Sequence, residues 1–257
     1  MKGGADYAKR IKKLFGQLKR AHGKEFPDPP ENLVEVLILA VLSQNASDRK
    51  ARGALQRIID NSVDMNEFRV TSPSDMPSVL GTEFPDSVNR SKALSAVLNE
   101  VFNRENCMDL SKVAQKSKRD ARAYFESLPG SSPFVAAYVV LWGLGGHAIP
   151  VDDYLAAVLR KEELVDPTAD PAEIQSFLER HISASDGRYY ATLIRRYAAT
   201  KTTKAIKALE VQIAPTSEPP VPEEPAAEKT AKSKTKAEKE TKPETKTKKK
   251  KKTASKM

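Results

Sequence analysis

Apolar residues recur at three- and four-residue spacing through almost all of the first 210 positions, and this period constrains the fold more than any other feature of the chain. Ile11, Leu14, Phe15 and Leu18 share one helical face, and Leu33, Val36, Leu37, Ala40 and Val41 share another. Pro29 and Pro30 keep these two segments apart, since proline ends a helix. Asp48 is placed to cap a third helix with Ala51, Leu55, Ile58 and Ile59 on its apolar face. Further helical segments are expected over 87–102 (Ala93, Leu94, Val97, Leu98, Val101) and 188–199 (Tyr189, Leu193, Ile194, Tyr197). Another starts at Asp170, followed by Pro171 in the first turn. No run alternates convincingly as a strand does. The expected class is all-α, with helices bundled around short loops.

The periodicity stops near Glu210. Residues 215–222 form a proline-rich spacer, and beyond Ala226 the chain is almost wholly Ala, Glu, Lys, Thr and Ser. With no large apolar side chain to bury, this segment cannot offset the entropy of ordering, and it is expected to be disordered. It holds 13 lysines and 7 glutamates, six of the nine net positive charges, so the body carries only three. A tail of this kind attracts phosphates without regard to sequence, and salt weakens the attraction.

Other classes are excluded more simply. The longest apolar run, 33–42, is interrupted by Glu35 and is too short for a bilayer, which takes roughly 20 residues. The first six residues lack the apolar core of a secretion signal. The expected location is intracellular, cytoplasmic or nucleoid-associated. Cys107 is the one cysteine, so an internal disulfide and a cysteine-ligated iron–sulfur cluster or zinc finger within this chain are excluded. Cys107 itself reads as a small apolar filler.

Two features stand out from the helical background. A helix over 119–126 ends at Leu128-Pro129-Gly130-Ser131-Ser132, and a new helix starts at about Pro133, with Phe134, Ala136 and Ala137 in its first turns. A tight turn of this kind leaves amide groups of the second helix facing outward, a ready site for a phosphate. By itself it is also an ordinary helical corner. The second feature is Gly143-Leu144-Gly145-Gly146, leading through Val151 to Asp152 at the head of another helix, where aspartate is a favoured cap.

Together they carry a resemblance. Leu-Pro-Gly, an alanine-rich helix, a glycine loop and Val-Asp opening a helix resemble the endonuclease III superfamily of helix-hairpin-helix DNA glycosylases, whose pattern is Leu-Pro-Gly-x-Gly-x-Lys-Thr-Ala followed by Val-Asp-Thr-His. The family's lysine-to-aspartate spacing is matched here by the 18 residues from Phe134 to Asp152. Leu42-Ser43-Gln44-Asn45-Ala46-Ser47-Asp48 is similar to the family's Leu-Ser-x-Gln-x-Thr-Asp turn, and Asn89 to Ala93 resembles the segment before its next helix. The likeness spans about 33–197.

The resemblance implies two helical lobes flanking a DNA-binding cleft. One is a six-helix barrel lobe with the hairpin over 31–147. The other gathers 5–30 and 148–210, leaving 211–257 as the tail. It implies a monomer that bends double-stranded DNA and flips out a base. Asp152 is the implied catalytic carboxylate, which stabilises positive charge on the sugar as the glycosidic bond breaks. Gln44 or Asn45 is the implied filler of the hole left in the stack. Leu128, Gly130, Ser131, Ser132 and Phe134 are the implied DNA-binding hairpin, with a monovalent cation held by loop carbonyls. Three departures matter. Phe134 stands at the lysine position and cannot form a Schiff base, which implies hydrolysis without lyase chemistry. Ser132 replaces the hairpin's second glycine. The four cluster cysteines are absent, so no iron–sulfur cofactor is expected. A catalytically inactive DNA-binding module of the same fold is the alternative expectation, and a lyase using another amine is a third. Tyr138, Trp142 and His147 lie near these segments but read first as packing residues.

Overall fold

The computed structural model describes residues 4–22, 28–81 and 83–201, which all lie in the compact unit Met1–Ala214. These described residues form twelve α-helices and no strand. The expectations for 202–257, the tail included, fall outside the described residues.

Helix α2 (Leu33–Ser43) is the centre of the first lobe. Nine of its eleven residues are buried, because a helix that is apolar nearly all round has to lie inside a core. Asn32 caps it by accepting from the Val34 amide. Around it pack α3 (Asp48–Asn61), α6 (Ser87–Glu105) and α9 (Pro133–Tyr138). The short helices α4 (Met65–Val70), α5 (Met76–Leu80), α7 (Ser111–Ala114) and the longer α8 (Lys118–Glu126) complete this part. One hydrophobic core runs through it from Val34 to Ala148, joined by Ala191.

A second core joins α1 (Gly4–Ala21) to α10 (Asp153–Lys161), α11 (Pro171–His181) and α12 (Gly187–Thr200). Ile11, Phe15 and Leu18 of α1 bury their shared face there, and the Phe15 ring meets Tyr190 edge-on at 5.0 Å. Asp170 and Glu173 close a capping box at the head of α11, as the Asp-Pro start anticipates. The chain passes between the cores at Ala148 and Ile149.

Two sequence expectations change. The cap of α3 is Ser47, whose hydroxyl accepts from the Lys50 amide at 3.4 Å, and Asp48 is the first helical residue. Cys107 is exposed, one residue beyond the C-cap of α6, and is no core filler.

Among the described residues no helix is long and apolar enough to cross a membrane.

Candidate functional site

The Leu128–Asp152 run folds as a hairpin, a broken helix and a capped helix start. Helix α8 ends at Glu126, and Leu128 turns into the first core with 3% exposure. Gly130 has φ +81°. A Cβ there would lie 2.7 Å from the carbonyl oxygen of Ala93, so only glycine fits the turn and the close approach of α6. The Ser131 amide closes the turn on Leu128 at 3.0 Å. Ser132 then caps α9: its hydroxyl accepts from the Val135 amide and donates to Gln44 Oε1 at 2.9 Å. The residue in place of the second glycine therefore ties the hairpin to the α2–α3 loop. Phe134, expected against DNA, is 2% exposed and packs inside the first core. An apolar ring on the inward face of α9 gains more from burial than from a charged surface.

Past Tyr138 the helix widens into a π-helical turn, Val139–Gly143. Arg188 of α12 donates to the carbonyls of Leu141 (3.0 Å) and Trp142 (3.2 Å), which such a turn leaves open. Phe134, Tyr138 and Trp142 form an aromatic ladder, with successive ring centroids 6.0 and 6.1 Å apart.

Asp152 caps α10, and its carboxylate is wholly withdrawn from solvent. Oδ1 accepts from the Leu155 amide at 2.8 Å. Oδ2 accepts from the Asn45 amide at 2.9 Å and from Arg195 Nη1 at 3.2 Å. Capping and ion pairing thus occupy the carboxylate. Burial pulls the Arg195 guanidinium down, but the charges of Asp152 and Asp48 outweigh it and hold its pKa above the usual value. Arg195 also donates to the carbonyls of Ser43 and Ala46, at 2.9 and 3.1 Å, and lies over the Phe134 ring at 5.3 Å from the centroid. The positive charge facing Asp152 is therefore Arg195, stacked on the ring found at the lysine position.

The loop at 44–46 is clamped from both sides. Arg90 of α6 donates to the carbonyls of Val41 and Gln44, each at 2.7 Å, while Arg195 holds Ser43 and Ala46. Burial lowers the Arg90 pKa, against the pull of Asp86 and Asp152. Between the clamps Asn45 adopts φ +54°, a conformation that asparagine tolerates better than most residues. Its side-chain oxygen accepts from the Tyr154 amide at 3.2 Å, and its amide nitrogen reaches Asp153 at 3.3 Å. Gln44, Asn45, Ser132 and Asp152 are thus linked by hydrogen bonds. Gly130 and Ser131 sit at the hairpin tip, and Leu128 and Phe134 are core anchors.

A cleft of about 330 Å³ is lined by Asn45, Tyr138, Trp142, Tyr154, Arg49 and Arg195 among others; Asp152 does not line it but is hydrogen-bonded to two residues that do, Asn45 and Arg195. It takes residues from both cores. Burial and the Asp152 charge push the Tyr154 hydroxyl up to about 12, so it is neutral at ordinary pH and donates to Ala198 O at 3.0 Å. Tyr138 and Trp142, which read as packing residues in the sequence, are both packing residues and cleft walls. His147, expected as a packing residue, is instead exposed, and its Nε2 is hydrogen-bonded with the Glu179 carbonyl at 2.7 Å.

Neither Arg90 nor Arg195 belongs to a motif that marks it as a buried clamp, although a signal exists. Arg195 falls on the stripe Ala191–Ala198 of α12, and Arg90 is four residues before Leu94 on α6. A charge on an apolar stripe demands buried partners.

Solved structures share this fold. A trapped endonuclease III–DNA covalent intermediate with an estranged adenine is 16% identical, with a TM-score of 0.58 over 74% of this chain and 86% of that one. The Clostridium acetobutylicum 8-oxoguanine glycosylase/lyase, in complex with double-stranded DNA containing cytosine opposite 8-oxoguanine, is 15% identical, with a TM-score of 0.59 over 77% and 70%. A thermostable thymine-DNA glycosylase is 14% identical, with a TM-score of 0.57 over 78% and 90%. No family model matches the sequence, and no curated protein matches it. The chain has the all-helical fold of the helix-hairpin-helix DNA glycosylases.

Proposed function

We propose that the chain is a DNA glycosylase of base excision repair that binds double-stranded DNA as a monomer, draws an extrahelical base into the cleft and hydrolyses its glycosidic bond with Asp152. The observation that carries this reading is a carboxylate at the head of α10 whose hydrogen-bond partners, Asn45 and Arg195, line a cleft with aromatic walls. As the C1′–N bond breaks, its electron pair leaves with the base, and the sugar gains oxocarbenium character that a nearby carboxylate stabilises. Water then adds at C1′ and gives up a proton, leaving an abasic site. Phe134 offers no amine, so strand cleavage through a Schiff base is not expected.

The Asp152 carboxylate has to be released for this chemistry, and catalytic contacts often tighten only once substrate is bound. The Asn45 amide is one of the two donors on Oδ2. Insertion of Gln44 or Asn45 into the base stack moves that donor away. The loop that fills the hole thereby leaves Arg195 as the one donor on Oδ2. At the hairpin, Pro133 has no N–H and the Val135 amide is taken by Ser132, so the Phe134 amide is left at the head of α9 to face a backbone phosphate. The buried hydroxyl of Ser131, which lacks a hydrogen-bond partner, and the hairpin carbonyls are oxygen ligands of the kind a monovalent cation would take, adding positive charge for that phosphate. No step depends on it.

Duplexes carrying uracil, thymine glycol, alkylated purines or oxidised guanine test the reading, scored for both base release and strand nicking. Base release without nicking is expected. Release that is unchanged in Asp152→Asn would overturn the assigned mechanism.

One observation favours a second reading, a DNA-binding module without turnover. Arg195 is held by two carbonyls as well as by Asp152, so the ion pair can act as a permanent lock. Tight binding to abasic DNA, with no base released from any duplex, would favour it.

A further inference from the structure

We infer that the cleft also binds a free nucleoside 5′-monophosphate, a ligand small enough to enter without a duplex. Its volume, about 330 Å³, lies at the lower end of the roughly 300–1,000 Å³ usual for small-molecule sites. Its walls divide by chemistry. Tyr138, Trp142 and Tyr154 supply aromatic surface for one flat base. Arg49 and Arg196, both exposed, line the same cleft and present guanidinium groups suited to a phosphate. Arg49 lies in the first turn of the fourteen-residue α3, whose positive end adds to the attraction. The single carboxylate among the lining residues is Asp48. An aromatic wall with a cationic rim favours a ligand that is flat at one end and doubly negative at the other. A bare base leaves the rim unused, and inorganic phosphate leaves the wall unused.

The binding needs only the cleft, so it stands apart from duplex recognition and goes beyond the proposed hydrolysis. The same chemistry occurs in an extrahelical nucleotide of DNA, and the test separates the two sources.

Trp142 is the chain's one tryptophan and lines the cleft, so its fluorescence reports occupancy. The full-length protein is titrated with deoxyguanosine 5′-monophosphate, deoxyguanosine and inorganic phosphate. The nucleotide is expected to change the emission saturably, and the nucleoside and phosphate to bind at least about tenfold more weakly. Arg49→Glu and Arg196→Glu should each weaken nucleotide binding by about tenfold, and Tm should stay unchanged in Arg49→Glu, whose side chain is exposed. The nucleotide should also displace a labelled abasic duplex. A nucleoside that binds as well as the nucleotide, or no saturable change with the nucleotide at millimolar concentration, would overturn the inference. Nucleotide failure alongside tight abasic-duplex binding removes the free-ligand site and leaves the DNA reading standing. Nucleotide binding without any duplex binding does the reverse.

Discussion

Replacing Asp152 by asparagine should destabilise the protein well before any effect on catalysis is measured. The carboxylate is fully buried and accepts three hydrogen bonds, from the Leu155 amide, the Asn45 amide and Arg195. Asparagine caps a helix as well as aspartate does, so the bond to Leu155 can survive. Its NH2 group then faces two donors, and the Arg195 guanidinium, with 14% side-chain exposure, loses its counter-charge. Removing one partner of a buried pair costs about 3–5 kcal/mol. That is a large part of the roughly 5–15 kcal/mol that holds a domain together. At roughly 2–4 °C per kcal/mol for a domain of this size, Tm falls by roughly 6–20 °C. The assay is urea and thermal unfolding of a mutant cycle comprising Asp152→Asn, Arg195→Met and the double variant. Loss of the Arg195 bonds to Ser43 and Ala46 is common to both Arg195 variants and cancels in the cycle. The double variant leaves no orphaned charge, so it should be more stable than the sum of the single effects by at least about 1 kcal/mol. A Tm drop in Asp152→Asn smaller than about 2 °C, or strict additivity, would refute the buried-pair reasoning.

Three further outcomes are expected. Gly130→Ala places a Cβ 2.7 Å from the Ala93 carbonyl oxygen at φ +81°; it should cost about 1–3 kcal/mol by calorimetry and weaken DNA binding in parallel. The protein should lose stability as pH rises from about 10 to 12. Burial, together with the carboxylates of Asp152 and Glu162, pushes Tyr154 and Tyr197 up to about 12 from an ordinary 10.0. A raised pKa favours the neutral phenol in the folded state, so that stabilisation is intact below pH 10 and is lost as pH climbs through the folded values; alkaline unfolding followed by circular dichroism checks it. Deleting 215–257, with its 13 lysines, should weaken binding equally across DNA sequences and flatten the log–log salt dependence by about 0.9 for each phosphate the tail neutralises; an unchanged slope would make the tail passive.

Much of the fold is legible because its signals are local. The largely apolar stretch of α2, the Asp170-Pro171 start of α11 and the turn before Pro133 each depend on neighbours within a few residues, and each lies where the sequence places it. Helices α4, α5 and α7, of four to six residues, escape notice because they are too short to show a period. The site is less legible. Asp152 reads correctly as a cap, but its other partners, Asn45 and Arg195, are 107 and 43 residues away. Ser132 reads as a glycine replaced in a phosphate grip, and its bond to Gln44 spans 88 residues. Periodicity does not encode such pairings, because they join segments far apart in the chain.

Asp152 is buried and hydrogen-bonded, and the proposed chemistry requires that its carboxylate become available to the sugar. Single-turnover base release from the lesion panel, with DNA binding followed in the same samples, puts this requirement to the test. The wild-type protein should free the base from at least one duplex without nicking the strand, whereas Asp152→Asn should bind that duplex and free none. Wild-type protein that binds the duplexes and releases nothing would contradict the proposal, and Asp152 would then be a structural lock only.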